Sequence, residues 1–389
     1  MPLEVANEKQ TKNIPYSFER GAAVLKSPLS HLRRVLLVRN DRIGDLVLSL
    51  PAFEAVRRAL PHAHITALVS RYAGPLLSGC RAVDELLVDD PAETGWQLGR
   101  RLKKGNFDAA VILNTNTRNC LAVWRAGVPI RVSWAHKPAG LLLGNRRMFL
   151  RRSHPPVHES EFALALVRRL GIEAKLADLA PHLEIDTVTR ERIAKRVRQD
   201  FGDGPVFGVH PGNLKSAYNW PVSHYSALVG RLAQHGGVML TGSAAERPLL
   251  ESIRNQLENK RRERVRLYSD LNVPELAAAL AEQTALTASS TGPMHIAGVL
   301  GTPVVALFSP HPAHVPKKWA PLGDQHTLFV APLLPGEDPR IPREQGTAVM
   351  ARISVEEVLE ANLRYAHRAV APVGGEQAAH RHAYPKKIA

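Results

Sequence analysis

Short apolar runs separated by stretches of helical periodicity recur along most of this chain, and they restrict its fold more than any other feature. In the first half the runs lie at residues 35–38, 65–69, 85–88, 109–113 and 130–134. In the second half they lie at residues 206–209, 238–240, 265–267, 285–288 and 304–308. Runs of this length joined by helical stretches predict buried parallel strands with crossover helices. The sequence therefore predicts an α/β protein with two Rossmann-like parallel-sheet domains that face each other across a cleft.

Breaks in this alternation give the predicted domain boundaries. We predict an N-terminal extension at residues 1–32, a first Rossmann-like domain at 33–190 and a second at 191–353. A C-terminal helix at 354–370 and a disordered tail at 371–389 follow. The segment at 136–156 is rich in proline, glycine and arginine, which predicts an irregular loop inside the first domain.

Composition indicates a folded protein without a membrane-spanning segment. Hydrophobic residues make up 44% of the chain, yet no run of about 18 apolar residues occurs. The first residues lack the apolar centre of a secretory signal, so we expect a cytoplasmic protein. Cys80 and Cys120 have no neighbouring ligands at metal-site spacing, so we expect free thiols and no metal site.

The net charge of +15 points to an anionic partner without choosing among several. Such a charge attracts phosphates, nucleic acids and anionic membrane surfaces, and a basic solvated surface explains it equally well. Aromatic residues are only 5% of the chain, and no nucleic-acid recognition motif is present. We therefore expect no nucleic-acid partner.

Asp45 lies in a polar turn between the apolar run at 35–38 and an amphipathic helix that extends to Leu60. Ligands of open α/β sheets bind at the carboxyl ends of the strands, where loops lead into helices. Asp45 is therefore placed to act either as a catalytic base or as a helix cap. Pro51 predicts a bend or a restart in the helix that follows.

A second strand-to-helix junction, with the sequence STGPMHIAGVL, predicts a phosphate site. The backbone N–H groups of a helix start bind anions, proline suits the first turn, and glycine allows close approach. An ordinary capped helix is the alternative. The candidate residues at this junction are Ser290, Thr291, Gly292, Pro293 and His295.

Two further loops complete a predicted nucleotide diphosphate site in the second domain. The loop that contains Gly212, Asn213 and Lys215 follows a strand, and its lysine is available to neutralise an anion. The turn that contains Thr241, Gly242 and Glu246 ends in a carboxylate, which fits a ribose contact and a helix-start charge equally well.

Four segments in this order resemble the heptosyltransferase family, glycosyltransferase family 9: RNDRIGDLVLSLPA, HPGNLKSAYNWP, TGSAAE and STGPMHIAGVLGTPVVALFSP. The resemblance covers about residues 33–370. It implies the two-domain GT-B fold and a metal-independent transfer of a heptose from ADP-heptose to the inner core of lipopolysaccharide, with inversion. It also implies that the nucleotide sugar is a co-substrate and that no further cofactor is needed.

The resemblance also implies roles for individual residues. Asp45 matches the general base and Gly44 the glycine before it, while Glu246 matches the residue that holds the ribose. Thr291, Gly292 and His295 match the motif on the diphosphate side. The family usually has aspartate at the position of Ser290, and it commonly has lysine at the position of Tyr218, for which Lys215 is the nearby substitute.

The acceptor implied by the resemblance is an anionic glycolipid, reached by peripheral contact with the cytoplasmic face of the membrane. Arg71, Arg118 and His158 are the candidate contacts, together with the basic cluster of Arg146, Arg147, Arg151 and Arg152. His158 fits a capping role as well. Two other functions remain open, a non-catalytic sugar-nucleotide-binding or assembly protein and a GT-B-type nucleotide-sugar epimerase.

Overall fold

The computed structural model describes residues 29–149, 157–212 and 217–370, without the side chains of Ser30 and residues 368–370. The predictions for most of the N-terminal extension and for the tail lie outside these residues. The predictions for Arg151, Arg152, Asn213 and Lys215 lie outside them as well.

The first half of the chain folds into a six-stranded parallel sheet of order β3-β2-β1-β4-β5-β6. Its strands are β1 Arg34–Arg39, β2 His64–Ser70, β3 Glu85–Asp89, β4 Ala109–Ile112, β5 Ile130–Trp134 and β6 Arg146–Met148. The four residues at 35–38 are fully buried, because helices cover β1 on both faces.

In the part of the chain that the structure describes, six helices cover this sheet: α1 Ile43–Leu48, α2 Leu50–Ala59, α3 Gly95–Lys103, α4 Thr117–Arg125, α5 Pro138–Leu143 and α6 Glu159–Arg168. The apolar faces of α1, α2 and α6 share one hydrophobic cluster, and those of α3, α4 and α5 share another. The helix predicted after Asp45 is interrupted at Ser49, and Pro51 lies in the first turn of the restarted helix α2.

The second half forms a six-stranded parallel sheet of order β12-β11-β10-β7-β8-β9. Its strands are β7 Val206–His210, β8 Gly237–Thr241, β9 Val265–Tyr268, β10 Ala285–Ser289, β11 Val304–Phe308 and β12 His326–Val330. The two sheets confirm the predicted α/β fold.

Within the described residues, nine helices accompany the second sheet: α7 Thr187–Phe201, α8 Val222–Leu232, α9 Arg247–Asn255, α10 Asn259–Arg262, α11 Val273–Ala281, α12 Gly292–Leu300, α13 Pro316–Trp319, α14 Gly346–Met350 and α15 Val355–Val370. Helix α12 packs against α1 of the first half. One hydrophobic cluster therefore continues from the first sheet into the second, through residues such as Leu46 and Met294.

The sequence does not predict the edge strands β6 and β12, the helix α5, or the short helices α13 and α14. The prediction of an irregular loop at 136–156 is wrong at α5 and β6, and β12 was not predicted. Both β6 and β12 are edge strands whose residues are half-buried or exposed, so they lack the continuous apolar run of a buried strand. Cys80 and Cys120 are free, as predicted, and both are buried. None of the helices in the described ranges is both long and apolar enough to cross a bilayer.

Candidate functional site

The carboxyl ends of strands from both sheets open into one cavity of about 930 Å³. From the first half, Asp41, Arg42, Gly44 and Asp45 line it after β1, and Tyr72 lines it after β2. From the second half, the lining comes from His210 at the end of β7 and from the residues that follow β8, β9 and β10. The cavity therefore lies where parallel α/β sheets bind their ligands.

A buried arginine organises the side of the cavity formed by the first sheet. Arg39, at the end of β1, is 4% exposed and donates to Oδ1 of Asp45 at 2.8 Å and to the carbonyl of Leu113 at 3.1 Å. Its guanidinium also lies 3.3 Å from Oδ1 of Asp41 and 3.9 Å from Oε1 of Glu159. Three carboxylates thus surround one cation.

Asp45 does not cap helix α1. The N-cap is Arg42, and Asp45 is the third helical residue, with its carboxylate bound to Arg39 instead of to a helix N–H. Its backbone carbonyl accepts hydrogen bonds from Nε of Arg39 at 3.1 Å and from Oγ of Ser49 at 2.8 Å. These contacts orient a carboxylate that lines the cavity and keeps 22% of its side chain exposed.

Asp41 is a second carboxylate on the cavity wall that the sequence analysis missed. Burial raises its pKa from 3.8 to about 6, and the nearby charge of Asp45 adds to the increase while Arg39 opposes it. A fraction of Asp41 is therefore protonated at neutral pH. Its position between Arg39 and the cavity depends on tertiary packing, which local sequence does not reveal.

On the opposite wall, helix α12 begins at the end of β10 and directs its N-terminus into the cavity. Thr291 is the N-cap, but its hydroxyl makes no capping bond and, within the described residues, finds no hydrogen-bond partner although it is buried. Gly292 approaches the first domain so closely that a Cβ on it would lie 3.2 Å from Cβ of Ile43. A buried hydroxyl and free helix N–H groups therefore converge on one spot.

His295 lies one turn into α12, between this helix start and the first domain. Its ring would lie 3.0 Å from a Cβ placed on Gly44, so glycine at position 44 allows the two helices to approach. Burial lowers its pKa from 6.5 to about 3, and the neighbouring His158 adds to the decrease. Nδ1 of His295 is buried and has no hydrogen-bond partner in the described part of the chain. The imidazole is neutral at neutral pH and can donate only one N–H.

Glu246 holds the turn after β8. Its Oε2 accepts hydrogen bonds from the backbone N–H of Ser243 at 2.9 Å and from the Ser243 hydroxyl at 2.8 Å. Its Oε1 faces Gly212, where an added Cβ would overlap it at 2.1 Å. Glu246 therefore stabilises the start of the helix after β8, and its carboxylate also lines the cavity. Thr241 is fully buried behind this wall, at 3.0 Å from Nδ1 of His210.

Two positions where the chain departs from the family pattern have different environments. Ser290 lines the cavity beside Thr291. The Tyr218 side chain is buried instead, with its hydroxyl donating to the carbonyl of Ile341 and its ring against His311 and His314. Among the described residues, a cation that lines the cavity in this region is Lys318 of helix α13, which the sequence does not predict as a site residue.

Most of the candidate donor residues that the structure describes line the cavity: Gly44, Gly242, Glu246, Ser290, Thr291, Gly292, Pro293 and His295. The other two, Gly212 and Thr241, lie behind its wall. The candidate acceptor residues do not line it. Arg71 is exposed, between the lining residues Ser70 and Tyr72.

Arg118 and His158 are occupied by contacts within the protein. Arg118 donates to both carboxylate oxygens of Asp89, at 2.9 and 3.0 Å, and to the carbonyl of Glu93 at 2.6 Å. His158 caps helix α6 by accepting from the N–H of Ser160, and its Nε2 lies 3.0 Å from the carbonyl oxygen of Ala320. Their predicted contact with an acceptor stays a prediction.

Two Rossmann-like parallel sheets whose strand ends share one cavity define the GT-B fold. Residues 95–342 match the family described as glycosyltransferase family 9 (heptosyltransferase). This match spans well over half of the chain, so the chain belongs to that family and is a glycosyltransferase.

Individual relatives agree with this assignment. A putative glycosyltransferase of Haemophilus influenzae is 26% identical over 317 residues, 77% of this chain and 90% of that protein. Lipopolysaccharide heptosyltransferase 2 of Escherichia coli is 25% identical over 291 residues, 71% of this chain and 83% of that protein. The structure of E. coli ADP-heptose lps heptosyltransferase II is similar with a TM-score of 0.73 and 22% identity, covering 86% of this chain and 99% of that one.

Proposed function

We propose that this chain transfers a heptose from ADP-heptose to the inner core of lipopolysaccharide or a related glycan, with inversion and without a metal ion. The observation that carries the proposal is the meeting of the carboxylate of Asp45 and the N-terminus of α12 in one cavity. Names of relatives support the substrates, since the similar E. coli structure is that of an ADP-heptose lipopolysaccharide heptosyltransferase.

In the proposed reaction, Asp45 removes the proton of an acceptor hydroxyl while the oxygen attacks the anomeric carbon. The bond from that carbon to the diphosphate breaks on the opposite face, and ADP leaves with the bonding electrons. The ion pair with Arg39 fixes the direction of the Asp45 carboxylate. A base positioned in this way typically contributes about 10²-fold to 10⁴-fold to the rate.

The charge that develops on the diphosphate is stabilised from the second domain. The first-turn N–H groups of α12 and the hydroxyl of Thr291 supply donors, and the neutral ring of His295 supplies one more. Because Tyr218 is buried, Lys318 supplies the cation that the family commonly places at position 218. Glu246 binds the ribose through Oε1, the oxygen that Ser243 does not use.

The proposed acceptor is an anionic glycolipid, so the enzyme works in the cytoplasm in peripheral contact with the membrane. Phosphates and carboxylates of such an acceptor complement a chain with a net charge of +15. Nucleic acid is not a partner in this proposal.

An acceptor-dependent assay of ADP release tests the proposed function. The chain is incubated with ADP-heptose and a heptose-deficient core acceptor, and NMR of the product reports the anomeric configuration. Asp45→Asn is expected to lower kcat by about 10²-fold to 10⁴-fold while ADP still binds, because only the base is lost.

Three outcomes would contradict the proposal. Near-normal turnover of a folded Asp45→Asn variant removes Asp45 from the role of base. ADP-heptose binding without acceptor-stimulated release indicates a binding protein, and turnover of the nucleotide sugar alone indicates an epimerase.

A further inference from the structure

The positive charge of this chain is concentrated in one segment of the first domain. Residues 95–149 contain ten Lys and Arg residues and one acidic residue, Asp108, which gives this segment a net charge of +9, against +15 for the whole chain. Asp108 is half-buried, and its Oδ2 accepts from the backbone N–H groups of Arg33 and Arg34. The exposed charges of this segment are therefore all positive.

These charges lie on the outer side of one helical layer. Helix α3 packs against α4, and α4 packs against α5, all on the same face of the first sheet. The exposed cations of these helices and of the adjoining loops and strand β6 are Arg100, Lys103, Lys104, Lys137 and Arg147. The helices follow β3, β4 and β5, so each begins at the edge of the sheet that opens into the cavity.

Large apolar side chains are exposed among the same cations. Trp96 and Trp124 are 49% and 44% exposed and form an edge-to-face pair with 6.3 Å between ring centroids. Leu142 at the end of α5 is 76% exposed, and Phe149 after β6 is 72% exposed. Exposed apolar side chains that lie together on one surface, unlike single scattered ones, mark contacts with a protein partner or a membrane.

The arrangement on α3 combines both features in one stripe. Trp96, Arg100 and Lys103 are spaced by four and three residues, so they share the outward face of the helix. The guanidinium carbon of Arg125 on α4 lies 5.3 Å from the ring centroid of Trp96. Aromatic rings set among Lys and Arg are typical of surfaces that lie in the boundary between lipid headgroups and acyl chains.

We propose that this basic aromatic face, formed by the exposed side chains of α3, α4, α5 and β6, docks on an anionic phospholipid bilayer. The cations bind the lipid phosphates, and the tryptophans, Leu142 and Phe149 enter the headgroup boundary. The docking gives a lipid-linked acceptor access to the cavity, and to that extent it rests on the proposed function. The contact with lipid itself does not require sugar transfer.

Charge complementarity favours an anionic bilayer over a second copy of the chain. A second copy of the chain would present the same net charge of +9 and would be repelled. An anionic membrane attracts each basic residue near its surface, with roughly a fivefold gain in partition for each one. Exposed apolar side chains then add an attraction that salt does not screen.

Vesicle flotation with the full chain tests the proposal. Vesicles of phosphatidylcholine are compared with vesicles that also contain phosphatidylglycerol, at low and high salt. We expect binding to the anionic vesicles only, weakened at high salt, and a blue shift of tryptophan fluorescence. The shift reports mainly the docked face, because Trp96 and Trp124 are exposed, whereas Trp134 and Trp220 are buried and Trp319 is half-buried at the cavity.

Two matched substitutions separate docking from general surface effects. Leu142→Glu is expected to weaken partition by about tenfold or more, because an apolar contact is replaced by a negative charge. Val188→Glu, at a side chain that is 75% exposed on α7, is the control and should bind as the unmodified chain does. Equal thermal unfolding of the two variants shows that both are folded.

The following results would overturn the proposal. Equal binding to neutral and anionic vesicles would show that charge does not drive the binding. Equal binding of the two variants would show that this face does not contact the membrane. Self-association in solution that Leu142→Glu abolishes assigns the face to a second copy. Transfer to a soluble acceptor without lipid should be unchanged in Leu142→Glu, so loss of docking is distinguishable from failure of the proposed transferase activity.

Discussion

Arg39 donates hydrogen bonds to Asp45 through two separate nitrogens, one to the carboxylate at 2.8 Å and one to the backbone carbonyl at 3.1 Å. This pairing fixes both the side chain and the first turn of α1 relative to the end of β1. Because Arg39 is buried, water competes little for either bond. The direction of the proposed base therefore depends on a residue that does not line the cavity.

Arg39→Lys is expected to lower kcat by about tenfold to a hundredfold with little change in KM. Lysine keeps the charge but cannot make the two bonds to Asp45 together with the bond to Leu113. Steady-state kinetics and urea unfolding check this expectation. Arg33→Lys, at an exposed arginine before β1 that does not line the cavity, is the control, and an unchanged kcat in folded Arg39→Lys contradicts the positioning role.

Lys318→Gln is expected to weaken ADP binding by about tenfold, because the diphosphate loses its nearby cation. Calorimetric titration with ADP at two salt concentrations measures both the affinity and its salt dependence. Lys317→Gln is the matched control, since Lys317 is exposed and does not line the cavity. An equal loss in both variants would show that only net charge matters.

The sequence predicts the elements whose signals are local. The buried run of β1 and the turn at Asp45 lie within a few residues of each other, so periodicity alone identifies the strand-to-helix junction. The edge strand β6 has no such run and was read as a loop. The sequence also does not predict contacts between residues that are far apart in the chain. Arg118 binds Asp89, and Glu159 lies near Arg39, and neither pair has a local sequence signal.

Asp41→Asn is expected to stabilise the protein at neutral pH. The pKa of Asp41 is about 6 in the folded chain and 3.8 without burial, so between these values the folded state holds a proton that the unfolded state has lost. Stability therefore falls as pH rises through this window and stays lower above it. Asparagine removes this loss, which amounts to about 1 to 3 kcal/mol.

Urea unfolding across the window measures the effect. The gain from Asp41→Asn should be full near about pH 7 and should shrink toward about pH 4, where aspartate is protonated in the native state as well. Asp203→Asn changes an exposed carboxylate and is the control. A gain that does not vary with pH would contradict titration of Asp41 as the cause.

Gly212→Ala is expected to raise KM for the nucleotide sugar by about tenfold with kcat nearly unchanged. The new methyl group would lie 2.1 Å from Oε1 of Glu246, so the carboxylate must leave its present position. If Glu246 binds the ribose, this movement removes an interaction that ground state and transition state share, which affects KM rather than kcat. Gly204→Ala is the matched control, because no atom lies within 4 Å of the position that its Cβ would take. If Gly212→Ala folds and its kinetics equal those of Gly204→Ala, Glu246 does not bind the ribose. Its role would then be limited to stabilising the turn after β8 through its bonds to Ser243.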